Sequence, residues 1–182
     1  MRACPDTTAG ETEKRMHVDF AALYREHYPA LRRYADRRVG NAAADDIVAS
    51  TFELAYRKLP GDHPHPVGWL FRTASNLMKA EVRRREKERR AAKDIEVLGT
   101  RSSGDADLEI LRVAMERMPE ADRTLLQLTY WDGLSAAEAG VVLGCSEQAV
   151  WKRISRAKAA LRDAWPHAAA RTMTWEEAIT NV

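Results

Sequence analysis

Cysteine is almost missing from this chain: Cys4 and Cys145, far apart, are the only two in 182 residues. No disulfide framework can be built from them, and their scarcity fits a reducing cytoplasm. Aromatic residues make up only 7%, which argues against a sandwich or barrel. No stretch approaches the roughly 20 apolar residues a membrane span needs, so no membrane insertion is expected. The first 16 residues are polar, lack the apolar core of a secretory signal and are expected to be mobile. No nucleotide-binding loop and no nucleophile with a plausible base can be found, so neither an enzyme nor a cofactor is expected. Net charge is only +2, and partners must be read from where the charge lies.

What is present is helical periodicity, with nothing that reads as a strand. Residues 19–39 carry one apolar stripe (Phe20, Leu23, Tyr24, Tyr28, Leu31, Tyr34, Ala35, Val39) that Gly40 can close. Pro29 sits inside it and is expected to bend or divide the helix. A second helix spans about residues 43–59. After a proline-rich loop, a third runs from about 67 to 93, apolar on one side through Trp69, Leu70, Ala74, Leu77 and Met78 and then mostly charged. Residues 94–106 hold little that could pack and read as a flexible linker. The reading is all-α: two small helical domains, at 17–93 and 107–165, between a tail at 1–16 and another at 166–182. In that last tail Trp175 and Ile179 are four apart and suit one short docking helix.

Residues 135–162 form a helix-turn-helix pattern. Ser135 and Glu138 make a capping box, Gly144 turns the chain, and Ser146 caps a second helix. Ala139, Val142, Leu143, Val150, Ile154 and Leu161 can pack the pair. Ser146, Glu147, Gln148, Trp151, Lys152, Arg153 and Arg156 are left for the outer face. Side chains near the start of such a helix reach base edges in the major groove, and Gln and Arg can bond adenine and guanine bidentately. A helical hairpin with a solvated charged face is the plainer alternative. Cys145 reads as a small residue filling the turn.

The third helix ends in a cationic tract. Arg72, Lys79, Arg83, Arg84, Arg85, Lys87, Arg89, Arg90 and Lys93 face only Glu81, Glu86 and Glu88, an excess that would hold a polyanion in a salt-dependent way. A helix laced by Glu–Arg pairs one turn apart would look similar. Trp69 and Asn76 beside the tract favour unstacked bases. His63 and His65 lie in the proline-rich loop without further ligands, so no metal site is expected.

Taken in order, these segments resemble the small extracytoplasmic-function (group 4) sigma factors of bacterial RNA polymerase, over roughly residues 19–165. The stretch from Asp45-Asp46 through Phe52-Glu53 to Tyr56 is similar to region 2.2. The stretch from Pro66 through Trp69 to Asn76, with the arginine run, resembles regions 2.3 and 2.4. The stretch from Leu134 to Lys158 resembles region 4.2. The resemblance implies that Asp45, Asp46, Phe52, Glu53 and Tyr56 dock on the β′ clamp coiled coil of core polymerase. It implies that Trp69, Asn76, Lys79, Arg83 and Arg84 open and read the −10 element, and that the recognition helix reads the −35 element. The partners implied are core RNA polymerase, including its β flap, and promoter DNA, with room left for an anti-sigma factor. The competing reading is a two-domain regulator that binds DNA without polymerase. The acidic, apolar segment at 45–56 argues against that, since a simple repressor has no use for it. Trp151-Lys152-Arg153 stands where the family often has Lys-Ser-Arg, and the tail at 166–182 has no counterpart in the family's minimal plan.

Overall fold

The computed structural model describes residues 19–92, 106–164 and 174–180. The tail at 1–16 and most of the linker and of the C-terminal tail lie outside them. Every regular element among the described residues is helical.

Helix α1 spans Phe20–Val39. Asp19 caps it by accepting the Ala22 backbone N–H at 3.0 Å, and Gly40, at φ 78°, ends it. The helix runs unbroken through Pro29, against expectation. Pro29 is exposed, so the Arg25 carbonyl that loses its intrahelical donor has water within reach. Helix α2, Asn41–Lys58, buries Ala44, Ile47, Val48, Thr51, Phe52 and Ala55. Thr51 is a polar residue in that row, and its hydroxyl donates back to the Ile47 carbonyl at 2.7 Å. Helix α3, Pro66–Ala92, opens on proline, where no N–H is needed. Its first half buries Leu70, Phe71, Ala74 and Met78 against α1 and α2; its second half runs on past the bundle with an exposed surface.

The second half begins with α4, Ala106–Arg117, and α5, Glu120–Leu126. A π-helical turn, Gln127–Trp131, continues α5. Helix α6, Ala136–Leu143, carries the expected capping box. Gly144 adopts the left-handed conformation (φ 69°) that turns the chain. Helix α7, Glu147–Ala164, follows, its start capped by Ser146, whose Oγ accepts the Ala149 N–H at 3.3 Å. A Cβ on Gly140 would stand 2.7 Å from the Cys145 carbonyl, so only glycine lets the turn fold back this closely on α6. The short helix α8, Trp175–Thr180, docks on α4 and the π turn. Ile179 is 1% exposed there, and its carbonyl accepts the Trp131 indole N–H at 2.6 Å.

The two halves are not independent. Leu128 and Leu134, from the second half, belong to the apolar core of the first. Helix α6 packs along α3. Gly68 permits this: a Cβ there would lie 2.9 Å from the Glu138 carbonyl and 3.1 Å from the Val141 side chain. The Arg72 guanidinium donates to the Val141 carbonyl at 2.8 Å. Arg37 closes the interface through one nitrogen, Nη2, at 2.6 and 2.8 Å from the two oxygens of Asp132, whose side chain is fully buried.

Candidate nucleic-acid and polymerase interface

On α7 the buried row is Val150, Ile154, Ala157 and Leu161. That spacing turns the opposite face outward. Ser146, Glu147, Gln148, Trp151, Lys152 and Arg156 are exposed along it. Arg153 departs from expectation. Its Nε lies 3.0 Å and its Nη2 2.9 Å from Asp122 Oδ1 at the start of α5, with both side chains mostly covered. It is one residue past the outer face, close enough to the α5 acid for its charge to settle inward. It ties α7 to α5.

On α3 the residues Asn76, Lys79, Arg83, Lys87 and Arg90 are all exposed. Their spacings of three and four place them on one side of the helix. The row from Asn76 to Arg90 rises about 21 Å at 1.5 Å per residue. Among the described residues no ion pair engages its cations, so the row is open to a polyanion. Arg84 lies off this row, held by Glu81 at 2.8 Å and Glu88 at 2.6 Å. With Arg84 and then Arg85 bonded to it, the Glu81 carboxyl falls to about 2. Arg85 also donates to the Val39 carbonyl at 2.8 Å, so these two arginines build the helix surface as much as they offer charge. Trp69 is half-buried against the core of the first half. The α3 tract thus combines both arrangements that its sequence allows: a laced side and a free side.

On α2 Asp46, Glu53 and Tyr56 are exposed, Tyr56 at 64%. Glu53 lies 3.3 Å from Arg57. Asp45 is exposed as well, with Arg32 Nε 2.9 Å away. Phe52 is 4% exposed. It sits in an aromatic cluster with Phe20 (centroids 6.1 Å) and Tyr24 (4.6 Å), so it is core beneath the surface rather than surface itself. Tyr56 stacks edge-on against Phe20 at 5.4 Å, which fixes an apolar ridge beside the acids. In the loop, His63 Nδ1 accepts the His65 backbone N–H at 3.1 Å and so shapes the turn. No helix among the described residues is long and apolar enough to cross a membrane.

Sequence reasoning missed the contacts between the halves, made by Arg37, Arg38, Gly68, Asp132 and Arg72, the last read in sequence only as part of the cationic tract. Arg38 lies over the Tyr34 ring at 4.1 Å. It reaches Thr124 Oγ1 at 3.3 Å and Gln127 Oε1 at 3.5 Å, while its Nη1 is buried without a partner. Burial lowers its pKa, and burial raises that of Asp132 against the pull of Arg37. Asp132-Gly133 looks in sequence only like the end of a helix. An acid before glycine gives no hint that it will be buried, so no local signal marks it.

Fold and surfaces together define a class: an all-helical DNA-binding protein that joins a helix-turn-helix to a second helical bundle with its own cationic row. Comparison with known proteins narrows this. Residues 23–88 match sigma-70 region 2 and residues 108–161 match sigma-70, region 4. The chain is 34% identical over 154 residues to the ECF RNA polymerase sigma factor SigL of Mycobacterium tuberculosis, covering 78% of this chain and 85% of that one. It is 30% identical over 140 residues to the ECF sigma factor EcfG of Rhodopseudomonas palustris, covering 73% and 77%. Among solved structures, it resembles the sigma factor RpoE bound to the anti-sigma factor NepR from Bartonella quintana. There the TM-score is 0.59 at 25% identity, over 80% of this chain and 96% of that one. It also resembles CnrH in complex with the cytosolic domain of CnrY, with a TM-score of 0.52 at 32% identity over 78% and 84%. The chain belongs to the extracytoplasmic-function sigma factors of the sigma-70 family and directs RNA polymerase to promoters.

Proposed function

We propose that this sigma factor divides its work between residues 17–93 and 107–165. The first segment docks on core polymerase through the exposed Asp46, Glu53 and Tyr56 of α2, and handles the −10 element along Asn76, Lys79 and Arg83 of α3. The second reads the −35 element with α7. It makes no bonds itself, and it works in the cytoplasm with polymerase and DNA. The observation that carries this is the open row on α3 together with the uncovered outer face of α7: two cationic surfaces on one chain.

The folded arrangement is then a closed state. The two elements lie about 25 base pairs apart, or about 85 Å of duplex at 3.4 Å per pair. A globule of this length has a radius of gyration of about 16 Å. The halves must part along the Arg37–Asp132 pair for both surfaces to engage one promoter. Its solved relatives RpoE and CnrH were captured in complexes, the first with an anti-sigma factor, and an anti-sigma partner that grips the closed form fits this chain.

Transcription in vitro with core polymerase, with and without the protein, on a promoter library tests the whole reading. RNA that depends on the protein is the expected result. Asp46→Arg should abolish holoenzyme formation while circular dichroism stays unchanged; normal assembly by that variant would remove the docking assignment.

A further inference from the structure

Trp151 is the large apolar side chain of α7 that the core leaves out. It is 58% exposed, whereas Val150, Ile154 and Leu161 are buried. Its indole N–H lies 3.3 Å from Glu147 Oε1, one turn back, so the one polar atom of the ring is already engaged. What the ring offers outward is an apolar edge and face. With Lys152, Ser155 and Arg156 it lines an open, shallow depression on the outer side of the helix. The two cations would bring a phosphate backbone to its rim.

The edges of the base pairs present one apolar group in the major groove, the C5-methyl of thymine; the other groups there are hydrogen-bond donors and acceptors. A ring whose donor is occupied has nothing to exchange with those. We propose that Trp151 reads a thymine of the upstream promoter element by packing its indole on that methyl, with Glu147 holding the ring in place. This rests on the assignment of α7 as the recognition helix and adds the base and the atom it selects.

The test uses holoenzyme reconstituted from core polymerase and the full chain. Selection from a randomised upstream element gives the preferred sequence, and each thymine in it is then replaced by deoxyuridine, which lacks only the methyl. One position should lose about fourfold in affinity, the worth of one buried methyl. Trp151→Ala should erase that loss and the thymine preference at that position alone. Trp151→Phe, which keeps an apolar ring and has no N–H, should retain the preference. Wild-type indifference to every deoxyuridine overturns the proposal. So does unchanged selectivity in Trp151→Ala, including the case where that variant loses a protein partner instead. Lys152→Ala and Arg156→Ala separate the two levels of the argument. If they weaken upstream binding while deoxyuridine has no effect, the recognition helix stands and the thymine assignment falls. If neither changes upstream binding, the recognition helix itself falls.

Discussion

Arg37→Ala removes the counter-charge of an acid that has no access to water. Breaking a buried ion pair from one side costs about 3–5 kcal/mol, because the remaining charge is left uncompensated. Here the two partners sit on opposite halves of the chain, so parting the halves relieves that cost and unfolding is not required. A shift of that size changes the closed-to-open ratio by about two to four orders of magnitude. Dyes on cysteines introduced at Lys58 and Arg162, with the native cysteines removed, report the change as a loss of energy transfer while helix content is preserved.

The pH response separates this account from simple damage. Burial already raises the Asp132 pKa above its ordinary 3.8, and loss of Arg37 raises it further. An acid with a raised pKa binds its proton more tightly in the closed state than in the open one. Closure therefore gains as pH falls through that raised pKa toward 3.8, and is favoured least above it. Arg37→Ala should open at neutral pH and close again on acidification, once Asp132 is neutral and needs no partner. Gly68→Ala offers a route without charge: the new Cβ collides with the α6 backbone, while alanine favours α3 itself. It should open the molecule at every pH. If both variants transfer energy like the wild type, neither the ion pair nor the close helix approach holds the halves together. An Arg37→Ala variant that unfolds outright and does not recover in acid would refute the electrostatic reasoning.

Two further outcomes follow from the surfaces. Replacing Lys79, Arg83 and Lys87 with alanine should flatten the salt dependence of holoenzyme–promoter binding by about 0.7–0.9 for each phosphate no longer neutralised. Arg84→Ala, which removes a residue already held by Glu81 and Glu88, should change that slope least; equal slopes for the two variants would remove the distinction between them. Ile179→Ala empties a site that α8 fills against Leu111, Met115 and Leu161 and should cost about 2–5 kcal/mol in denaturant unfolding of the second half. No change in stability would mean that α8 is not seated in solution.

The parts legible in the sequence are those whose physics is local. A capping box needs only Ser135 and Glu138 three residues apart, and the turn at Gly144 needs a residue that tolerates positive φ. The core rows on α2, α3 and α7 follow from helical spacing. Parts that depend on a distant segment are not legible in this way. Pro29 reads as a break in α1 because a proline's cost is local, while its exposure, which makes that cost bearable, is a tertiary fact. Charge alone puts Arg153 among the residues left for the outer face, since the Asp122 that draws it inward lies 31 residues earlier in the chain. Phe52 has the composition of a docking surface, yet an aromatic cluster with Phe20 and Tyr24 covers it. The close approach of α6 to α3 leaves no periodic trace, because it depends on the missing side chain of Gly68 and on a bond from Arg72 to the Val141 backbone carbonyl.

The interface between the halves is built with opposed terms, and Arg38 shows it. Leu128 and Leu134 draw the halves together by leaving water. Against them stands the Arg38 Nη1, buried with no partner, a cost of about 1–3 kcal/mol that water would relieve on opening. Arg38 also sits beside Arg37, whose like charge opposes its own, with Asp132 and Glu120 acting the other way. Water that reaches this group when the halves part offsets some of the cost of opening them. Arg38→Met keeps the length of the side chain and its packing on Tyr34, and removes the stranded donor and the like charge. Removing the unpartnered Nη1 donor relieves a desolvation cost of about 1–3 kcal/mol, while Arg37 stays in place as the ion-pair partner of Asp132. The variant should therefore raise energy transfer between the dyes and lower promoter-dependent transcription at limiting core polymerase, with no change in helix content. If Arg38→Met instead opens the molecule, its long bonds to Thr124 and Gln127 are what hold the halves, and the closed state is not poised in this way.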